Sequence, residues 1–132
     1  MMSVDTIFAV ATPPGRSAIS VVRISGPHAA QAPALFGAAC PEAGRFRLAR
    51  LLASGQVIDE ALILFMQAPR SSTGEDVCEM HCHGSSAVLG LVLEILSDAP
   101  GFRLADAGEF TRRAFMHNKL DLLGVEGLAD VI

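Results

Sequence analysis

The segment RFRLARLLASGQVIDEALILFMQ, residues 45–67, constrains the fold more than any other part of the chain. It alternates around a Ser54–Gly55 turn, which predicts a β-hairpin with its second strand centred on Ala61 to Phe65. Two more strands are predicted before it, in TIFAVAT and AISVVRIS, on either side of the turn-forming PPG. A β-sheet is therefore the expected framework.

The remaining segments predict helices and one more strand. Ser25 to Pro27 are typical of a helix start, with Ser25 as the cap, and this helix is expected to reach about Phe36 and to be shortened or kinked by Pro33. SSAVLGLVLEILSDA is apolar nearly all round, which predicts a buried helix, and GFRLA is typical of a short strand. The expected fold class is α+β, a mixed sheet with flanking helices.

The C-terminal quarter predicts two further helices. DAGEFTRRAFMHN is amphipathic, with Phe110, Ala114 and Phe115 as its expected inner stripe. LDLLGVEGLADVI has helical spacing and stops without a cap or a breaker, so we expect a truncated helix. The predicted division is a domain over residues 1–118 and the start of a following helical domain over 119–132.

Composition limits the classes of function. The 132 residues amount to one domain, and 51% of them are hydrophobic while 18% are charged, so some apolar surface is expected to meet a partner chain. The net charge of −4 gives no basic field for a nucleic acid backbone. The N-terminus does not have the form of a secretory signal, and no apolar run is long enough for a bilayer, so a cytoplasmic protein without membrane contact is expected.

The segment GEDVCEMHCHG, residues 74–84, concentrates the chemically versatile side chains. As a strand, VCEMHCH places Glu79, His81 and His83 on one face and Cys78 and Cys82 on the other. Tetrahedral zinc needs converging ligands, so the alternating cysteines and histidines disfavour a metal site. Neighbouring strand residues point oppositely, which also disfavours a cysteine–histidine nucleophile, and no catalytic residue is assigned.

No nucleotide-binding loop is present, because neither G-x-x-x-x-G-K-[ST] nor G-x-G-x-x-G occurs in the chain. Three charges in apolar segments remain unexplained: Arg23, Glu79 and Lys119. They are either surface or ion-paired residues, or they line a pocket for a ligand with a flat hydrogen-bonding ring and an anionic end. Spacing does not choose between these interpretations.

A resemblance does. The segments DTIFAVATPPGRSAISVVRISGP, SSTGEDVCEMHCHG, AGEFTRRAFMHNKLDL and GVEGLADVI, in this order, resemble the N-terminal domain of the MnmE (TrmE) family of tRNA modification GTPases. The resemblance implies a tetrahydrofolate-binding domain, similar to the folate domain of the aminomethyltransferase of glycine cleavage. It also implies a constitutive homodimer.

The resemblance further implies that Arg23, Glu79 and Lys119 bind a 5-formyl-tetrahydrofolate-type cofactor, because they occupy the motif positions in RISG, after GED and in KLDL. The whole protein of this family adds a carboxymethylaminomethyl group to the wobble uridine of tRNA with an FAD-dependent partner, MnmG (GidA). GTP, Mg²⁺ and K⁺ would be bound by a GTPase domain of which this chain has no trace. Whether this chain alone is an enzyme stays open.

Two other hypotheses remain. The chain could be a dimerisation scaffold without a working folate site, or a free-standing aminomethyltransferase-like enzyme. The second is disfavoured because no general base has an evident spacing.

Overall fold

The framework of the computed structural model, which describes residues 5–11, 18–83 and 85–118, is a mixed β-sheet. Its strands are β1 (Thr6–Val10), β2 (Ile19–Ser25), β3 (Arg45–Ala53), β4 (Gln56–Met66), β5 (Val77–His83) and β6 (Phe102–Leu104). The helices are α1 (Ser86–Asp98), α2 (Glu109–Met116) and two short 3-10 helices (Ala29–Gln31 and Pro33–Phe36). The six described strands lie in the order β3-β4-β5-β2-β1-β6, with β1 and β6 parallel and every other neighbouring pair antiparallel. The expected α+β fold with a mixed sheet is confirmed.

The hairpin predicted from residues 45–67 is confirmed. Strands β3 and β4 pair along their length, and Ala53 lies opposite Gln56 across the turn. Ser54 and Gly55 both have positive φ, 51° and 79°. Two consecutive residues with positive φ are what a two-residue turn needs to match the twist of the strands it joins.

One face of the sheet holds the core. Strand β5 alternates as expected, with Cys78, Met80 and Cys82 at most 1% exposed. The 3-10 helices and α1 cover this face, because Phe36, from the second 3-10 helix, and Val92 and Leu96, from α1, join the same apolar cluster. The cysteines are therefore small core residues, as free cysteines usually are.

The opposite side of the sheet is only partly covered. We call it the open face; its half-buried side chains are Val21, Arg23, Leu62, Leu64, Glu79 and His81. On strand β3 it continues with Phe46 and Leu48, which are 69% and 62% exposed and lie opposite Leu64 and Leu62. This face differs from the core in two ways: charged side chains lie among the apolar ones at its centre, and its β3 edge exposes large apolar side chains.

The helix expected from Ser25 to Phe36 is wrong. Residues 29–36 form the two 3-10 helices, and Pro33 starts the second of them because a proline cannot donate the hydrogen bond that a continuous helix requires. Ser25 is no helix cap but the last residue of β2. Gly26 has φ +141°, and an added Cβ there would lie 2.7 Å from the Thr6 Cα, so the chain leaves β2 by a path that only glycine allows.

Both later helices differ from their predicted packing. Helix α1 buries only Val92 and Leu96 fully, so it covers the core with one side and is not buried all round. The expected inner stripe of α2 is confirmed at Ala114, which is 4% exposed, and wrong at Phe115, which is 43% exposed; Phe110 is half-buried. Glu109 and Arg113, which were not expected there, are buried beside Ala114, so the buried side of α2 is largely ionic.

Neither α1 nor α2, the α-helices of the described chain, has the length and apolar character needed to cross a bilayer.

Candidate functional site

Arg23 and Glu79, which are 56 residues apart in the sequence, meet at the centre of the open face. They are direct cross-strand neighbours on β2 and β5, and Arg23 Nε donates to Glu79 Oε2 at 2.8 Å. His81 Nε2 lies 3.0 Å from the other carboxylate oxygen, Oε1. Each oxygen of Glu79 therefore holds one protein partner, which fixes the orientation of the carboxylate.

The electrostatics of this group favour an ionised Glu79. Burial by itself would raise the pKa of the carboxyl group, but the hydrogen bonds from His81 and Arg23 and the nearby positive charge outweigh it, so the pKa is lower than usual. The Glu79 side chain is 16% exposed and that of Arg23 is 35% exposed. A partly open, ionised and oriented acceptor is thus present.

This arrangement suits a flat ligand with paired donors. A carboxylate has about four lone-pair sites, so two protein partners leave acceptor capacity for two parallel N–H donors. Leu64 and Leu62 lie directly across from Glu79 and His81 on β4 and supply an apolar surface beside the charges. Lys119, the third residue predicted for the site, lies outside the described residues.

The candidate zinc ligands do not converge. Cys78 and Cys82 are buried on the core face, whereas His81 contacts Glu79 on the open face. Burial, and to a smaller extent Asp59, raises the pKa of the Cys82 thiol to about 11, so it stays protonated at neutral pH. His83 is held by Asp59, whose Oδ1 lies 2.6 Å from Nδ1 and whose Oδ2 accepts from the backbone N at 2.8 Å.

A second polar group lies beside the site and was not predicted from the sequence. Arg113 of α2 donates to the carboxylate oxygens of Glu75 at 3.1 and 3.3 Å and to Glu109 Oε2 at 3.1 Å. Ser25 Oγ donates to Glu75 Oε1 at 2.7 Å and lies 2.8 Å from Thr73 Oγ1. We call these five residues the ionic cluster. The Glu109–Arg113 spacing of four residues was the one available signal, since it brings both side chains to one side of a helix.

Glu109 also has a partner outside the ionic cluster. Its two oxygens accept from Arg103 Nη1 and Nη2 at 2.8 and 2.6 Å, and Arg103 Nε donates to Asp5 at 3.0 Å. The hydrogen bonds from Arg103, opposed by burial, lower the pKa of the Glu109 carboxyl group to about 2. The Glu109 side chain is only 2% exposed.

Acid should therefore destabilise the domain in a defined range. The pKa of Glu109 is lower in the folded chain than the ordinary glutamate value of 4.5, so the contribution of Glu109 to stability is complete above that value and is lost as the pH falls toward about 2. A shift of this size corresponds to about 3 kcal/mol. Urea titrations between pH 6 and pH 2 on wild type and Glu109→Gln measure it. The wild type should lose more stability than the variant over this range, and parallel curves would contradict the assignment.

Comparison with known proteins gives the family. The model of the family described as GTP-binding protein TrmE N-terminus matches residues 6–119. The tRNA modification GTPase MnmE of Cereibacter sphaeroides is 52% identical over 128 residues, which are 97% of this chain and 30% of that protein. The protein of the same name from Rhodospirillum rubrum is 48% identical over 145 residues, covering 99% of this chain and 32% of the relative.

A third relative, MnmE of Phenylobacterium zucineum, is 51% identical over 129 residues and is covered over 29% of its length. The chain thus spans about a third of the length of the curated relatives it matches. The match extends over the strands of the open face and over α2. The chain therefore belongs to the MnmE (TrmE) family of tRNA modification GTPases and corresponds to its N-terminal domain.

Proposed function

We propose that this domain binds a reduced folate, of the 5-formyl-tetrahydrofolate type, and pairs with a second copy of itself. The observation that carries the proposal is the meeting of Arg23 and Glu79 on the open face, with His81 on the second carboxylate oxygen. The relatives' name as tRNA modification GTPases supports a role in tRNA modification.

Glu79 is the proposed acceptor for the pteridine ring. The 2-amino group and the adjacent ring N–H of a reduced folate form a paired donor edge, which matches a carboxylate held at both oxygens. Arg23 and Lys119 would contact the remaining polar or anionic parts of the cofactor. The folate supplies the one-carbon chemistry when bound, and the residues of this chain bind and orient it.

The whole protein would use this cofactor on tRNA. We propose that it acts in the cytoplasm, with the FAD-dependent partner MnmG (GidA), to add a carboxymethylaminomethyl group to the wobble uridine. GTP hydrolysis, with Mg²⁺ and K⁺, would belong to the GTPase domain of the longer protein. The residues of this chain would contribute cofactor binding and dimerisation.

The open face is the proposed surface for the second copy. Phe46 and Leu48 extend it as an exposed apolar strip at the sheet edge, and a monomer rarely leaves such a strip uncovered. Strand β3 is also the edge strand there, so its outer backbone groups have no neighbouring strand in the described chain.

Phe46→Glu is expected to weaken the dimer by about 30-fold or more, because it places a charge where a large apolar side chain would be buried, and anchor residues contribute about 2 kcal/mol or more. Sedimentation equilibrium measures the dissociation constant. Leu91→Glu is the control, since Leu91 is 40% exposed on α1, which covers the opposite face. A dimer that tolerates Phe46→Glu as well as Leu91→Glu would place the interface elsewhere.

Calorimetric titration of the chain with 5-formyl-tetrahydrofolate tests the cofactor proposal. Binding should be saturable, with one ligand per chain. The scaffold hypothesis predicts instead that the chain forms a dimer in sedimentation and gives no heat of folate binding. That result would leave dimerisation as the role of the domain.

A further inference from the structure

The ionic cluster, Ser25, Thr73, Glu75, Glu109 and Arg113, joins three segments that are far apart in the chain. Ser25 ends β2, Thr73 and Glu75 belong to the loop before β5, and Glu109 and Arg113 belong to α2. Arg113 lies at the centre, because its Nη1 donates to Glu75 and its Nη2 donates to Glu109. Its Nη1 also lies 3.4 Å from the Ser25 carbonyl oxygen.

These contacts are withdrawn from water. The side chains of Arg113 and Glu75 are 9% and 10% exposed, and that of Glu109 is 2% exposed. Taking charges out of water costs several kcal/mol per ion, and well-packed apolar side chains often give equal or greater stability. Stability alone therefore does not explain why this position holds charges. Charge-assisted hydrogen bonds differ from apolar contacts in fixing direction and distance.

The cluster lies next to the proposed folate site. Ser25 and Arg23 are two residues apart on β2, so their side chains emerge on the same face about 7 Å from each other. Ser25 is paired with Val77 in the same ladder in which Arg23 is paired with Glu79. Glu75 precedes Glu79 by four residues, so the loop held by Arg113 leads directly into the strand that carries the acceptor.

We propose that Arg113 is a positioning residue for the folate site, acting through Glu75 and Ser25 to hold β2, the loop before β5 and α2 at fixed relative positions. The proposal rests on the proposed folate binding for its affinity readout. Arg113 itself touches no ligand in this assignment. Its effect is to keep Arg23 and Glu79 in the geometry that the pteridine edge requires, and displacements of about 1 Å at such sites reduce function strongly.

The main test uses the double variant Glu75→Gln/Arg113→Met, which removes both charges and leaves no ion unpaired. Glu109 keeps Arg103 as its partner. The variant is expected to fold with a urea midpoint close to that of the wild type and to bind 5-formyl-tetrahydrofolate about tenfold more weakly or worse. Arg112→Met is the matched control, since Arg112 is on the same helix and 60% exposed, and it should keep wild-type affinity.

Arg113→Lys is the second variant. It keeps the charge, but an ammonium group lacks the planar fork that reaches two carboxylates in fixed directions. We expect a folded protein with an affinity between those of the wild type and the double variant. Wild-type affinity in both folded variants would overturn the proposal. Failure of both to fold would make the cluster a requirement for folding itself and would also overturn it.

A ligand-free readout separates this proposal from folate binding. The Arg23 Nε–H group donates to Glu79, so its NMR signal reports the geometry of that pair. The signal should move in the double variant and stay in place in Arg112→Met. An unmoved signal in a folded double variant would reject the positioning role. If the signal moved in the double variant but the wild type bound no folate, the cofactor proposal would be rejected and the positioning role of Arg113 toward the Arg23–Glu79 pair would be retained.

Discussion

Arg113→Met alone is expected to lower the free energy of unfolding by about 3–5 kcal/mol, because breaking a buried ion pair leaves its partner charged and unpaired. Arg113 donates to both oxygens of Glu75, whose remaining side-chain partner in the described chain is the hydroxyl of Ser25. Without the guanidinium, the Glu75 carboxylate stays buried with a single neutral donor. A domain of this size has a total stability of about 5–15 kcal/mol, so the loss is a large fraction of it.

Urea unfolding followed by circular dichroism measures this loss. Arg112→Met should change the free energy of unfolding by about 0.5 kcal/mol or less, since its guanidinium is exposed. Adding Glu75→Gln to Arg113→Met should restore most of the lost stability, because it removes the unpaired charge. If Arg113→Met unfolded at the wild-type urea concentration, the ionic cluster would have to be more accessible to water than the structure shows.

Glu79→Gln is expected to weaken the binding of 5-formyl-tetrahydrofolate by about 100-fold, corresponding to about 3 kcal/mol. The amide has nearly the same shape as the carboxylate, but it replaces one acceptor oxygen by a donor. A donor facing the paired donor edge of the pteridine loses one hydrogen bond and repels a second. The negative charge that strengthens both bonds is also lost.

The same substitution should change the fold little. The side chains of Arg23 and His81, the partners of Glu79, are 35% and 27% exposed, so water can solvate them when the carboxylate is removed. His83→Gln, four residues after Glu79 on β5 and 71% exposed, is the control for affinity. Equal affinities of wild type and Glu79→Gln in calorimetry would remove Glu79 from the site.

Local periodicity explains what could be predicted of the fold. The alternation in residues 45–67 and in VCEMHCH predicts three strands, the first two joined as a hairpin, because strand side chains repeat every second residue. It also put Glu79 and His81 on one face, where the structure brings them into contact. The region after Ser25 differs from the predicted helix because Ser25 pairs with Val77 as the last residue of β2, and because Pro33 cannot donate the backbone hydrogen bond of a continuous helix.

Long-range pairing explains what could not be predicted. Nothing in the spacing specifies that β2 pairs with β5 in the register that places Arg23 opposite Glu79, and only the family resemblance connected these residues. The buried side of α2 was missed for a related reason. Glu109 and Arg113 are charged, and their partners Glu75, Ser25 and Arg103 come from other segments, so an apolar stripe was the natural expectation.

The most direct measurement is a crystal structure of the chain with 5-formyl-tetrahydrofolate bound. The folate proposal predicts the pteridine amino group and the adjacent ring N–H within hydrogen-bonding distance of the two Glu79 carboxylate oxygens. It also predicts Arg23 and Lys119 in contact with the same ligand molecule. A folate bound on another surface, or Lys119 far from the ligand while Glu79 remains paired only with Arg23 and His81, would contradict it.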